Sequence, residues 1–148
     1  MNFIFFLVLL LSLSITAQAK DSKDNKNISI LTWNTFLVPS LFNSTKQGER
    51  ADLMAKKLRA LNHDIIFIQE AFIDEKRELI IKELASVYPY VAIPKKGQGL
   101  FQLVGPGLFI VSKYPMKVLD QVVFEDCSGV DCFVSKSALI VEITLSKD

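Results

Sequence analysis

Apolar residues along the chain fall into short runs separated by a stretch with helical spacing, an alternation typical of α/β proteins. The run "ISILTWN", Ile28–Asn34, has the β-branched content and the length of a buried strand, and "DIIFIQ", Asp64–Gln69, predicts a second strand. Between them, from Glu49 to Asn62, apolar residues recur on one face of a helix while charged residues can face water. The pattern therefore predicts a strand, a helix and a second strand in succession.

The remainder of the pattern predicts one more helix followed by short strands. Residues Asp74 to Val87 have helical spacing, and Pro89 follows them as a helix-ending residue. Four strand-like runs come next, separated by Gly, Pro and a cysteine loop: "YVAI", "GLFIVSK", "VLDQVVFE" and "ALIVEITLS". The predicted fold class is α/β, with a mixed sheet and flanking helices.

The amino-terminal residues differ from the rest of the chain. An apolar run from Phe3 to Ile15, followed by Ala17-Gln18-Ala19, predicts a secretory signal peptide over residues 1–19. The run is shorter than the ~20 apolar residues that span a bilayer, which disfavours a membrane anchor. Residues 20–27, "KDSKDNKN", predict a flexible lead, and residues 28–148 predict the folded domain. We expect the protein to be secreted or periplasmic after signal-peptide cleavage.

Charge and cysteine content narrow the classes of partner and site. The net charge of +1 over 148 residues, with Lys and Arg clustered only in pairs, argues against nucleic acid. In an exported protein, Cys127 and Cys132 predict a disulfide that closes a small surface loop. Because no second cysteine pair and no nearby histidine accompany them, they form a poor zinc site.

Two polar residues, Asn34 and Glu70, lie where the first two predicted strands end. A strand, helix and strand in succession normally form a parallel pair, so both residues are expected at the same edge of the sheet, where α/β proteins bind ligands. A carboxylate and an amide oxygen suit Mg²⁺, which also takes waters and substrate phosphate. The geometry alone leaves a second interpretation open, in which Glu70 caps a helix or anchors a loop.

Short motifs in a fixed order resemble one protein family. "LTWNTF", "GERADLMAKKLRALNHDIIFIQEAF", "YPY" and "GLFIVSKYPM" are similar to the amino-terminal half of the endonuclease/exonuclease/phosphatase family, from about Ile30 to Leu145. Within that family, "ERADL", "SKYP" and "VVFEDCSGVD" resemble the secreted bacterial neutral sphingomyelinases. The resemblance implies a partial DNase-like four-layer α-β-β-α sandwich lacking its carboxy-terminal half. It also implies that Glu70 binds Mg²⁺ with the assistance of Asn34.

The activity that the resemblance implies is hydrolysis of a phosphodiester, in a phospholipid such as sphingomyelin, by a metal-activated water. The family's Asp-x-Asn motif and Asp-His pair do not occur in this sequence, and the only histidine, His63, precedes the second strand at the far edge of the sheet. Catalytic residues are therefore left unassigned, and whether the chain is itself an enzyme stays open. We expect a truncated gene product that is inactive alone. Two alternatives are a fragment completed by a second polypeptide and a secreted non-catalytic lipid- or protein-binding module on the same scaffold.

Half of a sandwich makes one further structural prediction, because the inward face of its sheet would face water and its strand edges would be exposed. A separate loop, Gly97–Gly107, places Leu100, Phe101, Leu103 and Val104 between glycines. Such a loop could contact lipid at a membrane surface. The favoured interpretation is instead an irregular strand that packs into the sheet.

Overall fold

The computed structural model describes residues 27–40, 46–99 and 102–145. The predicted signal peptide and residues 20–26 of the predicted lead lie outside the described residues, as do Leu100 and Phe101. In the described ranges, no helix has the length and apolar character needed to cross a membrane.

The described helices and strands follow one another in the predicted order, but the boundaries predicted from the sequence differ from the observed ones at several ends. The first helix begins earlier than predicted and the second ends at Leu84 rather than Val87. The bounds are β1 Ile30–Leu37, α1 Gln47–Leu61, β2 Ile65–Ala71, α2 Asp74–Leu84, β3 Tyr90–Ala92, β4 Phe109–Ser112, β5 Met116–Val123, a 3₁₀ turn Gly129–Phe133, and β6 Ser137–Ile143.

Four strands form a mixed sheet in the order β1-β2-β4-β3. β1 and β2 are parallel, as expected for strands joined through a helix, and β4 is antiparallel to both of its neighbours. β5 and β6 pair with each other as a separate antiparallel sheet of two strands. The two parallel strands therefore end at the same edge of the larger sheet.

Both helices cover one face of the mixed sheet. Leu58 of α1 and Leu84 of α2 are fully buried there against Ile66, Phe109 and the ring of Tyr88. Burial of each such side chain stabilises the fold by roughly 1.5–3 kcal/mol before conformational entropy is subtracted. This cluster fixes the positions of α1 and α2, and with them the positions of the polar side chains in their first turns.

The β5–β6 sheet covers part of the opposite face. Alternate residues of β6 point inward, so Leu139, Val141 and Ile143 pack near Ile65 and Ile110. The expectation that this inward face would be open to water is wrong over this area, because the carboxy-terminal hairpin folds back across it. The result is an α-β-β arrangement in the described residues, which confirms the α/β class and the partial sandwich.

A cluster of polar contacts fixes the edge at which β2 begins. The Asp64 carboxylate accepts hydrogen bonds from the Ser29 amide at 2.9 Å and the Ser29 hydroxyl at 2.7 Å, and Lys113 Nζ lies 3.4 Å from its other oxygen. The Ser29 hydrogen bonds, assisted by Lys113, hold the pKa of Asp64 below its usual value despite partial burial. The "SKYP" motif, which contains Lys113, thus ties β4 to the start of β2.

The "YPY" motif contributes to the same edge. Tyr88 is fully buried, and its hydroxyl donates a hydrogen bond of 2.8 Å to the carbonyl oxygen of His63. Burial, with a smaller contribution from the Asp64 charge, raises the pKa of the Tyr88 phenol. His63 is half-buried between α1 and β2. Both motifs therefore stabilise the end of the sheet at which β2 begins.

Candidate functional site

A β-bulge lies in β1 near the carboxyl ends of the paired strands β1 and β2. The two strands are in parallel register up to Asn34, where the pairing shifts, so that Thr35 and Phe36 together oppose the single residue Glu70. A bulge leaves the extra residue unpaired and turns the strand locally. β1 therefore continues past Asn34 to Leu37 instead of ending there as predicted.

The backbone at the bulge adopts a conformation that side chains disfavour. Glu70 has φ of 56° and Phe36 has φ of 48°, both in the left-handed region. For a residue other than glycine this conformation is disfavoured by roughly 1–2 kcal/mol. Strain of this kind at a non-glycine residue clusters at functional sites in proteins. The presence of glutamate at position 70 is therefore evidence that its side chain is needed there.

Arg50, in the first turn of α1, holds the β1 side of the bulge. Its guanidinium donates hydrogen bonds to the carbonyl oxygens of Thr35 at 2.7 Å and Phe36 at 3.1 Å. It also donates to Gln47 Oε1 at 3.0 Å, while the Gln47 amide donates to the Val38 carbonyl oxygen at 3.0 Å. The planar fork of an arginine suits such a set of acceptors, so α1 fixes the backbone on both sides of the bulge.

Arg77, in the first turn of α2, holds the β2 side. Its Nη1 donates to the carbonyl oxygen of Ala71 at 3.2 Å, and its Nη2 lies 2.7 Å from the Asp74 carboxylate. The amide of Ala71 donates to the carbonyl oxygen of Gly107 at 2.8 Å. A side chain on Gly107, which has φ of 66°, would come within 2.5 Å of the Phe72 ring. The residues on the carboxyl side of Glu70 are thus held by an arginine and by a position that requires glycine.

A cavity of about 730 Å³ opens at this edge of the sheet and includes Glu70. Its walls are mostly apolar, and the charged residues among them are Glu70, Asp131 and Lys136. Lys136 Nζ lies 2.6 Å from the Asp131 carboxylate, so those two charges offset each other. Glu70 itself is half-buried, and no residue in the described ranges donates a hydrogen bond to its carboxylate or forms an ion pair with it.

Asn34 lies beside this cavity rather than among its lining residues. Its Oδ1 accepts a hydrogen bond of 3.1 Å from the Phe36 amide, which closes a turn over the bulge. A carbonyl oxygen has two lone pairs, so this hydrogen bond leaves one for another partner. The structure therefore brings Asn34 and Glu70 to neighbouring positions on the paired strands β1 and β2, with Asn34 also holding the bulge.

The chemistry of these donors fits a magnesium ion. Mg²⁺ is bound through one or two carboxylates, keeps several waters and takes substrate phosphate oxygens. An accessible Glu70 carboxylate with no protein partner meets the first requirement. No group of three or more His, Cys, Asp or Glu side chains with metal-binding geometry occurs in the described ranges. The remaining ligands would therefore be waters, the Asn34 oxygen and substrate.

The two cysteines lie at the border of the cavity. Cys127 and Cys132 form a disulfide with a Cα–Cα distance of 5.0 Å. The closed loop carries Val130 and Asp131, both of which line the cavity. Of the residues that hold the site, Gln47, Arg77 and Gly107 were not identified from the sequence, and Arg50, which lies within "ERADL", was given no role there. The Gly-Pro-Gly stretch around Gly107 was a usable turn signal, whereas nothing local to Arg77 indicates its long-range contact.

Comparison with known proteins identifies relatives over part of their length. The chain is 32% identical over 140 residues to a sphingomyelinase C of Leptospira interrogans, a match that covers 84% of this chain and 25% of that protein. It is 26% identical over 140 residues to a phospholipase C of Staphylococcus aureus, covering 86% of this chain and 42% of that protein. The chain thus spans between a quarter and about two fifths of the length of these curated relatives. No protein-family model matches it.

A solved structure shows the same fold. A mutant beta toxin from Staphylococcus aureus with bound magnesium ions superimposes with a TM-score of 0.62 at 20% sequence identity, covering 78% of this chain and 48% of that chain. At this identity the likeness establishes the fold alone. Together with the sequence relatives, it confirms the resemblance inferred from the motifs.

Proposed function

We propose that this chain, a relative of bacterial sphingomyelinase C and phospholipase C over part of their length, carries the metal-binding part of a Mg²⁺-dependent phosphodiester hydrolase. The observation that carries the proposal is Glu70. Its carboxylate reaches a cavity from a strained, left-handed position and has no partner among the described residues. In a helix cap or loop anchor that carboxylate would accept a hydrogen bond from a backbone or side-chain donor, so the metal-ligand interpretation is favoured.

In this proposal, Glu70 binds the ion and Asn34 supports it from the neighbouring strand, beside the bulge. When bound, Mg²⁺ would neutralise charge that develops on the phosphoryl oxygens and the leaving group. The magnesium ions of the Staphylococcus aureus beta toxin structure support this choice of metal. Arg50 and Arg77 act indirectly, because each holds backbone carbonyl oxygens that determine where the Glu70 and Asn34 side chains lie.

The proposed substrate is a phospholipid with a phosphodiester headgroup, such as sphingomyelin. The names of the relatives support this class, and so does the largely apolar wall of the cavity. Such a substrate places the protein at a membrane surface, outside the cytoplasm after export. Nucleic acid is disfavoured by the net charge of +1. Because the sequence contains neither an Asp-His pair nor an Asp-x-Asn motif, we expect no hydrolysis by these residues alone.

Calorimetric titration with MgCl₂ tests the metal site. The chain from Lys20 onward, which contains all of the described residues, is titrated alongside Glu70→Ala and Glu70→Gln. Glu142→Ala provides the matched control, since Glu142 is an exposed strand glutamate in the other sheet. We expect binding in the parent and in Glu142→Ala and its loss in both Glu70 variants. Equal binding in all four proteins would refute the assignment.

The second candidate function is a secreted non-catalytic lipid-binding module on the same scaffold. Exposed apolar side chains around the cavity favour it, because a module of that kind needs such a surface and no metal. Vesicle binding by the parent without any heat of Mg²⁺ binding would favour the module. Magnesium binding that depends on Glu70 would favour the hydrolase.

A further inference from the structure

We propose that the hydroxyl of Ser137 is a substrate-binding group, which donates a hydrogen bond to a phosphoryl oxygen of a phosphodiester held at Glu70. Ser137 lines the same cavity as Glu70 but belongs to the other sheet. The inference rests on the proposed function, because it assigns a second contact to the phosphodiester that the metal site would bind.

Two polar side chains of the cavity wall have no hydrogen-bond or ion-pair partner in the described ranges. One is Glu70 on β2, and the other is Ser137 on β6, whose Oγ is shielded from solvent and unpaired. The other polar side chains of the wall are engaged with protein groups. Lys136 and Asp131 form an ion pair, and the Gln69 amide donates to a threonine hydroxyl of β1 at 2.9 Å. The cavity therefore offers a ligand one free carboxylate and one free hydroxyl, from different sheets.

An unpaired hydroxyl is an exception among the serines of this structure. The other described serines that are buried or half-buried, Ser29, Ser112 and Ser135, each exchange a hydrogen bond through the hydroxyl. Ser135 lies only two residues before Ser137, and its hydroxyl accepts a hydrogen bond of 2.6 Å from the Gly97 amide. Because an unsatisfied buried polar group costs free energy, such a group in a native structure points to a partner that binds there.

The backbone around Ser137 is held in place, so that only the side chain has to move. Ser137 is the first residue of β6 and pairs with Val123 of β5. Directly before it, the Phe124 amide donates to the carbonyl oxygen of Lys136 at 2.9 Å. By strand alternation, Ser137 shares the face of β6 that carries Leu139 and points toward the mixed sheet.

The hydroxyl can turn into the cavity at little cost. Serine has three staggered χ1 positions, and an unpaired hydroxyl loses no hydrogen bond when it changes from one to another. Ligand entry can therefore bring the Ser137 hydroxyl from its shielded position to the cavity surface.

The chemistry of a hydroxyl suits a phosphoryl oxygen. An O–H group donates one hydrogen bond, and a hydrogen bond to an ionised acceptor is roughly twice as strong as one between neutral groups. The trimethylammonium group of a choline headgroup has no lone pair to accept from the hydroxyl and no N–H to donate to it. The phosphate, rather than the choline, is therefore the part of such a headgroup that Ser137 would recognise.

Calorimetric titration with glycerophosphocholine, a soluble phosphodiester, tests the assignment with and without MgCl₂. The chain from Lys20 onward is compared with Ser137→Ala, with Ser137→Thr and with the control Ser128→Ala, at an exposed serine outside the cavity wall. We expect Ser137→Ala to bind glycerophosphocholine about 10- to 100-fold more weakly, and the other two variants to bind within about threefold of the parent. Mg²⁺ should bind to Ser137→Ala as to the parent, because the hydroxyl is not a metal ligand. Choline chloride, which lacks the phosphate, should not distinguish the variants.

Thermal unfolding separates a ligand contact from a structural role. Because the Ser137 hydroxyl has no partner in the described part of the chain, Ser137→Ala should have a Tm equal to or above that of the parent. Ser135→Ala, which removes a paired hydroxyl, should have a lower Tm. A lower Tm of Ser137→Ala with unchanged glycerophosphocholine binding would give the hydroxyl a structural role and overturn the proposal.

Three other results would also overturn it. They are equal glycerophosphocholine binding by the parent and Ser137→Ala, equal losses in Ser137→Ala and Ser137→Thr, and no binding by the parent with or without MgCl₂. The metal site is judged separately. Absence of Mg²⁺ binding by the parent would refute the proposed function, whereas the dependence of glycerophosphocholine binding on Ser137 is still measured without MgCl₂.

Discussion

Replacing Glu70 by glycine separates the role of its side chain from the conformation of its backbone. At an ordinary strand position, glycine is less stable than alanine by roughly 0.5–1 kcal/mol, because it loses more backbone freedom on folding. Glu70 has φ of 56°, where alanine retains the steric conflict of a Cβ and glycine does not. Glu70→Gly should therefore be more stable than Glu70→Ala, which reverses the usual order.

The size of the effect follows from the same terms. Relief of left-handed strain contributes roughly 1–2 kcal/mol in favour of glycine, and its greater unfolded-state freedom removes about 0.4–1 kcal/mol. A net advantage of ~1 kcal/mol over alanine remains, which corresponds to a Tm higher by about 4 °C for a domain of this size. Neither variant should bind Mg²⁺, because both lack the carboxylate.

Thermal and urea unfolding of four variants measure this advantage. Glu142, an exposed residue of β6 with no positive φ, provides the reference pair Glu142→Gly and Glu142→Ala. There, glycine should be the less stable substitution. If glycine is less stable than alanine at both positions by the same margin, the left-handed conformation of Glu70 and the strain argument built on it are refuted.

Three further predictions concern the residues that hold the site. Arg50→Met should destabilise the fold by about 1–3 kcal/mol in urea unfolding, because it leaves carbonyl oxygens of the bulge without their charged donor. The control Arg59→Met, at an exposed arginine of the same helix, should change stability by less than about 1 kcal/mol. Gly107→Ala should lower stability by about 1–3 kcal/mol, since its Cβ would meet the Phe72 ring and its φ is left-handed; Gly105→Ala, where a Cβ meets nothing within 4 Å, should not. The lowered pKa of Asp64 means that its contribution to stability is present above the unfolded-state pKa of about 3.9 and is lost as pH falls through the lower folded-state pKa. Asp64→Asn should therefore flatten the acid side of a curve of unfolding free energy against pH. An unchanged curve would contradict the assigned hydrogen bonds.

The strand and helix order could be predicted from the sequence because local patterns determine it. Short β-branched apolar runs identified β1 and β2, helical spacing identified α1 and α2, and the parallel pairing followed from their succession. The bulge could not be predicted in the same way. It depends on Arg50 reaching back to Thr35 and Phe36, a contact between residues far apart in the sequence that leaves no periodic signal.

The candidate site likewise has a part that the sequence predicts and a part that it does not. Glu70 could be placed at a sheet edge from the apolar run before it, but its left-handed backbone has no counterpart in residue type, since glutamate rarely adopts that conformation. The position of the β5–β6 sheet was also missed. Its inward residues alternate along β6, and only tertiary packing determines that they cover Ile65 and Ile110.

Paramagnetic broadening by Mn²⁺ tests the central claim, that Glu70 and Asn34 form a divalent-metal site, most directly. Mn²⁺ accepts the same oxygen ligands as Mg²⁺ and broadens amide resonances of nearby residues. In a titration of the ¹⁵N-labelled chain, the amides of Asn34, Phe36 and Glu70 should broaden first, and excess Mg²⁺ should restore them. The amides of Asp64 and Lys113, at the opposite edge, serve as the internal reference. Broadening that begins at Asp64, or that persists unchanged in Glu70→Ala, would contradict the account.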